Sequence, residues 1–317
     1  MLRRVLLYLS EAGWAKAVVT KMGAARRVAL RFVAGESLDD ALRASRELNE
    51  KGLLVTLDYL GESVNRAEDT QAVVATYTSL IEQIASQKVR AGVSLKLTHL
   101  GLDIAEDLCI TNLRTVLTSA QEHDIPATVD MESSHYTDDT LRIVRTMRYE
   151  YGFTNLQTVI QSYLRRSEDD MRALASEGAS IRLVKGAYLE NPKIAFPEKS
   201  DVDANFVKLA EIFLGADDAD TGDGDSDEST FLAIASHDEN MIAAALAFIE
   251  KNNVPSHRYE FQMLYGIRTA RQAELVQGGH AMRVYVPFGS SWYAYFMRRL
   301  AERPANLTFF LRSLFRR

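Results

Sequence analysis

The chain has 317 residues, which is enough for one large domain with a substantial core or for two smaller domains. Its 47% hydrophobic and 25% charged residues are typical of a globular protein, and its net charge of -6 argues against a domain-wide nucleic-acid-binding surface. The single cysteine, Cys109, excludes an intramolecular disulfide and is predicted to be a buried structural thiol.

The N-terminal region does not have the pattern of a secretory signal. Its apolar run at residues 5–9 is interrupted by Ser10 and Glu11, and no segment of the chain approaches the length of a membrane span. We therefore expect a cytoplasmic protein that contacts the inner face of the membrane at most. Residues 1–48 are predicted to form an N-terminal helical arm, with a helix that begins near Ser37.

After this arm, strands and helices alternate. Short apolar runs rich in Val, Ile and Thr predict strands at residues 53–57, 93–97, 127–130, 158–161, 181–185, 231–235, 259–263 and 282–286. The helices that follow are predicted at about 68–87, 106–122, from 138, from 168, 201–214, 239–251, 269–277 and 291–302. Eight such units predict a (β/α)8 barrel over residues 49–306. An open doubly wound sheet is the alternative, but the chain contains no G-x-G-x-x-G turn.

Two segments stand apart from this pattern. Residues 215–229 form an Asp-rich stretch that lacks the glycine of a calcium-binding loop, so a solvated loop is predicted rather than a metal site. Residues 307–317 mix aromatic residues with arginines. They are predicted to form an amphipathic tail that either touches anionic lipid or packs its phenylalanines on the barrel.

Polar residues cluster at the C-terminal ends of the predicted strands, where barrels of this type carry their active sites. They are Lys96, Asp130, Gln161, Arg182, Lys185, Ser236, His237, Gln262 and Tyr285. A single strand-end charge is usually a surface residue or half of an ion pair, and Lys96 and Asp130 could simply pair with each other. The whole set is harder to explain without a ligand, because burying so many charges costs several kcal/mol per ion unless they pair.

The last predicted helix carries the second concentration of polar groups. Tyr295, Arg298, Arg299 and Glu302 share one side of it, and the spacing of Arg298 and Glu302 allows an ion pair. Two guanidinium groups suit a carboxylate ligand, because their planar N–H pairs match its two oxygens. The alternative is an exposed basic helix end.

Nine segments between about residues 50 and 310 resemble the proline dehydrogenase family. They are LDYLGE (57–62), SLKLTHLG (94–101), TVDME (128–132), VIQSYLRR (159–166), IRLVKGAYLE (181–190), ASHDE (235–239), YEFQMLYG (259–266), RVYVPFG (283–289) and YFMRRLAER (295–303). The resemblance implies a distorted (β/α)8 barrel that binds FAD without a covalent bond. It further implies the monofunctional bacterial form of the enzyme, which oxidises L-proline to Δ1-pyrroline-5-carboxylate and passes the electrons to a membrane quinone.

The resemblance also implies a substrate site on this chain. Its residues would be Lys96, Tyr285, Tyr295, Arg298, Arg299 and Glu302. The two arginines would hold the proline carboxylate with help from the lysine, and the glutamate would steady an arginine. The two tyrosines would pack against the pyrrolidine ring.

Asp130 and Arg182 would be the catalytic residues by the same resemblance. Asp130 matches the family's acid near the flavin, and Arg182 would stabilise negative charge at the reactive flavin nitrogen. FAD would be bound by Met131, Gln161, Arg182, Lys185, Gly186, Ala187, Ser236 and His237. None of these residues is an obvious strong base, so solvent would take the substrate proton.

Two other functions remain open from the sequence. A flavin barrel similar to methylenetetrahydrofolate reductase would use NAD(P)H and a folate, but it gives no reason for two arginines beside a tyrosine on the last helix. A non-catalytic barrel that binds an amino acid is the second alternative. No nucleic-acid partner is expected, and the sequence leaves a homo-oligomer open.

Overall fold

The computed structural model describes residues 30–216 and 230–302, together with residues 12, 14, 15 and 19; for residues 300–302 it describes the helix but not the side chains. Eight parallel strands form a closed barrel in the order β1 to β8. They are β1 Leu54–Tyr59, β2 Ala91–Leu95, β3 Ala127–Val129, β4 Leu156–Gln161, β5 Ser180–Val184, β6 Phe231–Ala235, β7 Tyr259–Leu264 and β8 Met282–Phe288. The predicted (β/α)8 barrel is confirmed.

Nine α-helices accompany these strands within the described residues. They are α1 Leu38–Asn49, α2 Ala67–Ser86, α3 Glu106–Glu122, α4 Thr137–Arg145, α5 Ser167–Ser176, α6 Lys199–Leu214, α7 Glu239–Asn252, α8 Thr269–Gln277 and α9 Trp292–Glu302. The predicted strands differ slightly from the observed ones at their ends. As a result, Lys96, Asp130 and Lys185, which were predicted to lie within strands, are the first residues beyond β2, β3 and β5.

Helix α1 begins where the sequence predicts. The Ser37 hydroxyl accepts a hydrogen bond from the Asp40 N–H at 3.2 Å, and the Asp40 carboxylate accepts one from the Ser37 N–H at 3.4 Å, which is a capping box. Upstream of the helix, the Ala34 N–H donates to the Pro287 carbonyl near the end of β8 at 2.9 Å. The helix packs against β1 and β8, so it fills the position in the outer ring that the last helix occupies in a regular barrel.

Helix α9 lies instead over the C-terminal mouth of the barrel. Its buried face, which includes Phe296, forms a small hydrophobic cluster with Phe32, Val33, Leu60 and Ile267. Leu60 and Ile267 follow the C-terminal ends of β1 and β7, so this cluster sits above the strands and not beside them. Because α9 lies over the mouth and not in the outer ring, its polar side is brought to the mouth of the barrel.

The main core lies between the barrel and its ring of helices. Tyr77 on α2 is fully buried, and its hydroxyl donates to the Ser94 carbonyl on β2 at 2.8 Å. Phe206 and Phe213 on α6 are also fully buried. Cys109 is buried as predicted, and burial raises the pKa of its thiol to about 12, so it stays neutral at pH 7.

Several predictions from the sequence fall on residues that the structure does not describe. They concern most of residues 1–29 of the predicted arm, residues 217–229 of the Asp-rich stretch and the tail at 307–317. Among the helices that are described, none combines the length and the apolar character needed to cross a lipid bilayer.

The packing of α3 can be tested with two neighbouring substitutions. Leu117 is fully buried against the barrel and Thr118 faces solvent. Leu117→Ala is expected to lower the free energy of unfolding by about 2–5 kcal/mol, because it leaves a cavity in a packed core. Thr118→Ala should change it by less than about 0.5 kcal/mol. Urea unfolding measures both values, and equal effects would contradict the observed orientation of α3.

Candidate active site

Four buried charges of alternating sign lie inside the mouth of the barrel. The Lys96 ammonium is 3.2 Å from an Asp58 oxygen and 3.3 Å from an Asp130 oxygen. The other Asp130 oxygen is 2.6 Å from the Arg182 guanidinium. Each buried ion therefore has an opposite charge beside it, which offsets the cost of removing it from water.

The pKa values of these groups follow from burial and from their neighbours. Burial raises the pKa of Asp130, but Lys96 and Arg182 outweigh that effect and hold it below its usual range. Burial lowers the pKa of Lys96, but the two carboxylates raise it well above its usual value. Burial raises the pKa of Asp58, since Lys96 offsets only part of that effect and Asp130 adds repulsion. Lys96 is thus protonated and Asp130 is ionised at neutral pH.

Arg182 is held by side chains from three other strands or strand ends. Its Nη1 also donates to the Ser94 hydroxyl at 3.0 Å, its Nη2 donates to the Thr128 hydroxyl at 3.2 Å, and its Nε donates to the Gln262 side-chain oxygen at 2.7 Å. The residue is only 3% exposed. The guanidinium is therefore fixed in one orientation in the barrel mouth.

Tyr285 on β8 contacts both Asp130 and Arg182. Its hydroxyl donates to an Asp130 oxygen at 2.7 Å, and its ring centroid is 5.3 Å from the central carbon of the Arg182 guanidinium. Burial raises the pKa of Tyr285 well above its usual value, and the neighbouring carboxylates raise it further. The hydroxyl stays neutral and serves as a donor.

Helix α9 brings two arginines to the same mouth. Arg298 donates to Glu62, in the loop after β1, at 2.8 Å. The guanidinium of Arg299 is 5.1 Å from the Tyr295 ring centroid. Burial lowers the pKa of Arg298, but Glu62, Tyr188 and Asp58 together raise it above its usual value, so the group is charged. The sequence predicted Glu302 as the partner of Arg298; the structure shows a pair with Glu62, and the Glu302 side chain lies outside the described part.

These groups share one cavity of about 660 Å³, a volume typical of small-molecule sites. It lies at the C-terminal mouth, beneath α9. Every predicted site residue whose side chain is described lines it: Lys96, Asp130, Met131, Gln161, Arg182, Lys185, Gly186, Ala187, Ser236, His237, Tyr285, Tyr295, Arg298 and Arg299. The structure thus brings the predicted residues of six strands, β2 to β6 and β8, together with those of the last helix.

The other end of the cavity carries a second charged cluster. Lys185 is 2.5 Å from an Asp203 oxygen and 2.8 Å from an Asp238 oxygen. Lys199 at the start of α6 is 3.0 Å from the same Asp238 oxygen. The Lys185 and Lys199 side chains keep the pKa of Asp238 well below its usual range, with burial opposing them. Lys199 and Asp238 also line the cavity, although neither was predicted as a site residue.

One position in the cavity wall has a feature that a bound ligand would explain, and another requires glycine. The Gln161 amide nitrogen donates to the carbonyls of Met131 and Glu132 at 3.4 and 3.2 Å, but its oxygen is buried with no hydrogen-bond partner in the described structure. Gly186 has a φ of +105°, and a side-chain carbon there would overlap the Tyr163 ring. The chain therefore needs glycine at this point of the wall.

The sequence analysis missed Asp58 and Glu62 for an identifiable reason. The first strand was predicted to end at Leu57, whereas β1 continues to Tyr59 and carries Asp58 into the mouth. Both residues lie in the segment LDYLGE, so the signal was present but was not assigned to a site. Tyr188, which follows the predicted Ala187, was also missed and lines the cavity.

Comparison with known proteins identifies the family. The sequence model described as proline dehydrogenase matches residues 41–312. Proline dehydrogenase 1 of Bacillus subtilis strain 168 is 40% identical over 321 residues, with the whole of both chains covered. Proline dehydrogenase of Deinococcus radiodurans is 37% identical over 290 residues and 90% of each chain. The chain belongs to the proline dehydrogenase family.

A solved structure of a family member has the same architecture. Proline utilization A from Bdellovibrio bacteriovorus, inactivated by N-propargylglycine, superimposes with a TM-score of 0.79 at 26% sequence identity. This chain is covered to 91% and spans 34% of that longer protein. Family membership favours an oxidoreductase over the non-catalytic amino-acid-binding barrel, and proline dehydrogenase over the reductase alternative.

Glu132 joins the loops that follow the first three strands. Its two oxygens accept hydrogen bonds from the Thr98 N–H at 3.1 Å and the Thr98 hydroxyl at 2.7 Å. The same hydroxyl accepts one from the Ser63 N–H at 3.1 Å, next to Glu62. Burial raises the pKa of Glu132 to about 6, although Thr98 opposes the shift.

The raised pKa of Glu132 predicts a pH-dependent stability. A carboxyl group with a raised folded-state pKa stabilises the fold fully below its ordinary pKa, and that contribution is lost as the pH rises to about 6. Glu132→Gln lacks this titration. Its melting temperature relative to the original protein should therefore rise between about pH 4.5 and pH 6 and then level off. Exposed Glu122→Gln is the control, and a pH-independent difference for Glu132→Gln would contradict the shift.

Proposed function

We propose that the protein oxidises L-proline to Δ1-pyrroline-5-carboxylate with bound FAD. The observation that carries the proposal is the single cavity that has the α9 arginines on one side and the buried Arg182 on another. The arginines suit a small carboxylate, and a fixed cation suits a site where negative charge develops. Family membership supports the same reaction.

The cavity wall fits a flavin nucleotide. The unsatisfied oxygen of Gln161 would accept an N–H from the isoalloxazine edge, which removes the cost of leaving it buried alone. The guanidinium of Arg182 has five N–H donors, of which four bond to Ser94, Thr128, Asp130 and Gln262, so one remains for the flavin. Met131 would touch the ring system.

The lysine cluster would hold the rest of the cofactor. Lys185, Gly186, Ala187, Ser236 and His237 form one end of the cavity and would contact the ribityl, phosphate and adenine parts. Glycine at 186 lets the wall stay flat where a side chain would overlap the Tyr163 ring. Lys199, which also lines this end, adds a positive charge for the phosphates.

The substrate carboxylate would bind between Arg298 and Arg299. Glu62 holds Arg298 by an ion pair, which leaves further N–H groups of that guanidinium for the substrate. Tyr295 and Tyr285 would pack against the pyrrolidine ring. Glu302, whose side chain is not described, would steady one of the arginines.

Lys96 and Asp130 would act by charge and position. Lys96 has three N–H donors and uses two on Asp58 and Asp130, so the third can reach the substrate carboxylate. By the family resemblance Asp130 is a catalytic carboxylate near the flavin, and here its two oxygens accept hydrogen bonds from Lys96, Arg182 and Tyr285. Its role would be to fix these three groups around the substrate.

The reaction itself needs little acid–base help from the chain. Bound FAD would supply the hydride acceptor for the ring CH2 next to nitrogen; the nitrogen lone pair would form the C=N bond, and the iminium would release its N–H proton to solvent to give the product. The substrate amine must be neutral, so its extra proton leaves to solvent. Arg182 would offset the charge that develops on reduction, and the arginines of α9 would hold the substrate in line.

The electrons would pass to a membrane quinone. We propose that the protein is cytoplasmic and contacts the inner face of the membrane peripherally through residues 307–317. A homo-oligomer is compatible with this proposal. The arginines and aromatic residues of this tail suit an anionic lipid surface. Flotation with anionic vesicles tests the contact: binding should be lost when residues 307–317 are deleted, and unchanged binding would refute it.

An anaerobic visible spectrum tests the reaction. The protein, loaded with FAD, should show a flavin spectrum that bleaches on addition of L-proline and not on addition of NADH. Bleaching by NADH alone would move the function to a reductase similar to methylenetetrahydrofolate reductase. A protein that takes up no FAD would refute the enzyme and leave an amino-acid-binding barrel.

Substitution of Arg299 tests the carboxylate site. Arg299→Met removes one guanidinium from the cavity and keeps an unbranched apolar stem. We expect KM for L-proline to rise by about 10-fold to 100-fold, with FAD still bound, because a charge-assisted hydrogen bond is lost. Arg172→Met, on the exposed side of α5, is the control for loss of charge. Unchanged saturation by L-proline would contradict the role.

A further inference from the structure

A buried carboxylate inside the barrel has no place in the reaction described above. Glu260 and Gln262 lie two residues apart on β7, so both side chains point to the same face, and both are 3% exposed. The interior of such barrels is usually filled by branched apolar side chains. An ionised group there needs a specific partner, because burying it alone is costly.

Glu260 has two hydrogen-bond donors on one oxygen. Its Oε1 accepts from the Gln262 amide nitrogen at 2.5 Å and from the Arg283 Nε at 2.7 Å. Arg283, on β8, also donates to the Val55 carbonyl on β1 at 2.9 Å. Through Arg283, Glu260 thus connects β8 and β1 to Gln262, the residue that contacts Arg182.

The amide of Gln262 can have only one orientation between these neighbours. Its oxygen faces the Nε of Arg182, which can only donate, at 2.7 Å. Its nitrogen faces the carboxylate of Glu260, which can only accept. A flipped amide would set donor against donor on one side and acceptor against acceptor on the other.

We propose that Glu260 is a positioning residue for the oxidation, acting through Gln262 on Arg182. It fixes the amide of Gln262, the amide holds the Nε of Arg182, and the guanidinium then presents Nη1 to Asp130 and keeps an Nη2 donor for the cofactor. The inference rests on the proposed function, because it takes Arg182 as the cation beside the reacting part of FAD.

Glu260→Gln is the decisive substitution. A neutral glutamine at this position can donate or accept, so only the Nε of Arg182 itself still selects the orientation of the Gln262 amide, and Arg182 is held less firmly. We expect the bound FAD to have a more negative reduction potential and its reduction by saturating L-proline to slow about 10-fold, with KM changed by less than about twofold. Glu250→Gln, an exposed change on α7, should behave as the original protein.

The reduction potential separates positioning from a merely structural role. A lower melting temperature with an unchanged potential and unchanged flavin reduction would overturn the proposal. If Glu260→Gln fails to fold, Gln262→Leu keeps the Glu260–Arg283 pair and removes the connection to Arg182, and the same shift of potential is expected.

The experiment also distinguishes this inference from the proposed function. The potential is measured against a reference dye and does not require proline. If the original protein, loaded with FAD, were not reduced by L-proline, the proposed function would fail. The potentials of the Glu260→Gln and Gln262→Leu proteins would still decide whether Glu260 positions Arg182.

Discussion

The site depends on the burial of charges of alternating sign inside a barrel mouth. Asp58, Lys96, Asp130 and Arg182 form a row in which each ion contacts an ion of opposite charge. Such a row offsets its desolvation only when its geometry is good and its remaining donors and acceptors are satisfied. Removing Lys96 would leave Asp58 without its cation, and removing Asp130 would leave Arg182 without its carboxylate. The surrounding hydroxyl and amide groups satisfy those donors and acceptors. The resulting rigid arrangement is what catalysis by positioning requires.

The exchange of places between α1 and α9 completes the site. A regular barrel would put its last helix in the outer ring beside β8, far from the mouth. Here α1 packs against β1 and β8, and α9 covers the mouth through a separate hydrophobic cluster. The apolar side of α9 packs in this cluster, and its arginines line the cavity. Fold and function are therefore linked through the packing of the N-terminal region.

The barrel and the rim of the cavity could be predicted from the sequence, because both depend on local patterns. Apolar runs rich in Val, Ile and Thr identified the eight strands, and polar residues toward their C-terminal ends identified the rim; Met131, Gly186 and Ala187 were predicted only from the family resemblance. The pairing of Arg298 with Glu62 could not be predicted, since the residues are 236 positions apart and helical spacing favoured Glu302. Periodicity shows which residues share a helix face, but it does not show where that helix packs. Glu260 was likewise hidden, because an alternating strand pattern does not reveal which polar side chain pairs inside the barrel.

The decisive measurement is a crystal structure with FAD and cyclopentanecarboxylate, in which carbon replaces the ring nitrogen of proline. We expect the carboxylate between Arg298 and Arg299, the ring against Tyr285, and the reactive part of the flavin beside Arg182. A carboxylate bound elsewhere, or a flavin whose ring system lies away from Arg182, would contradict it.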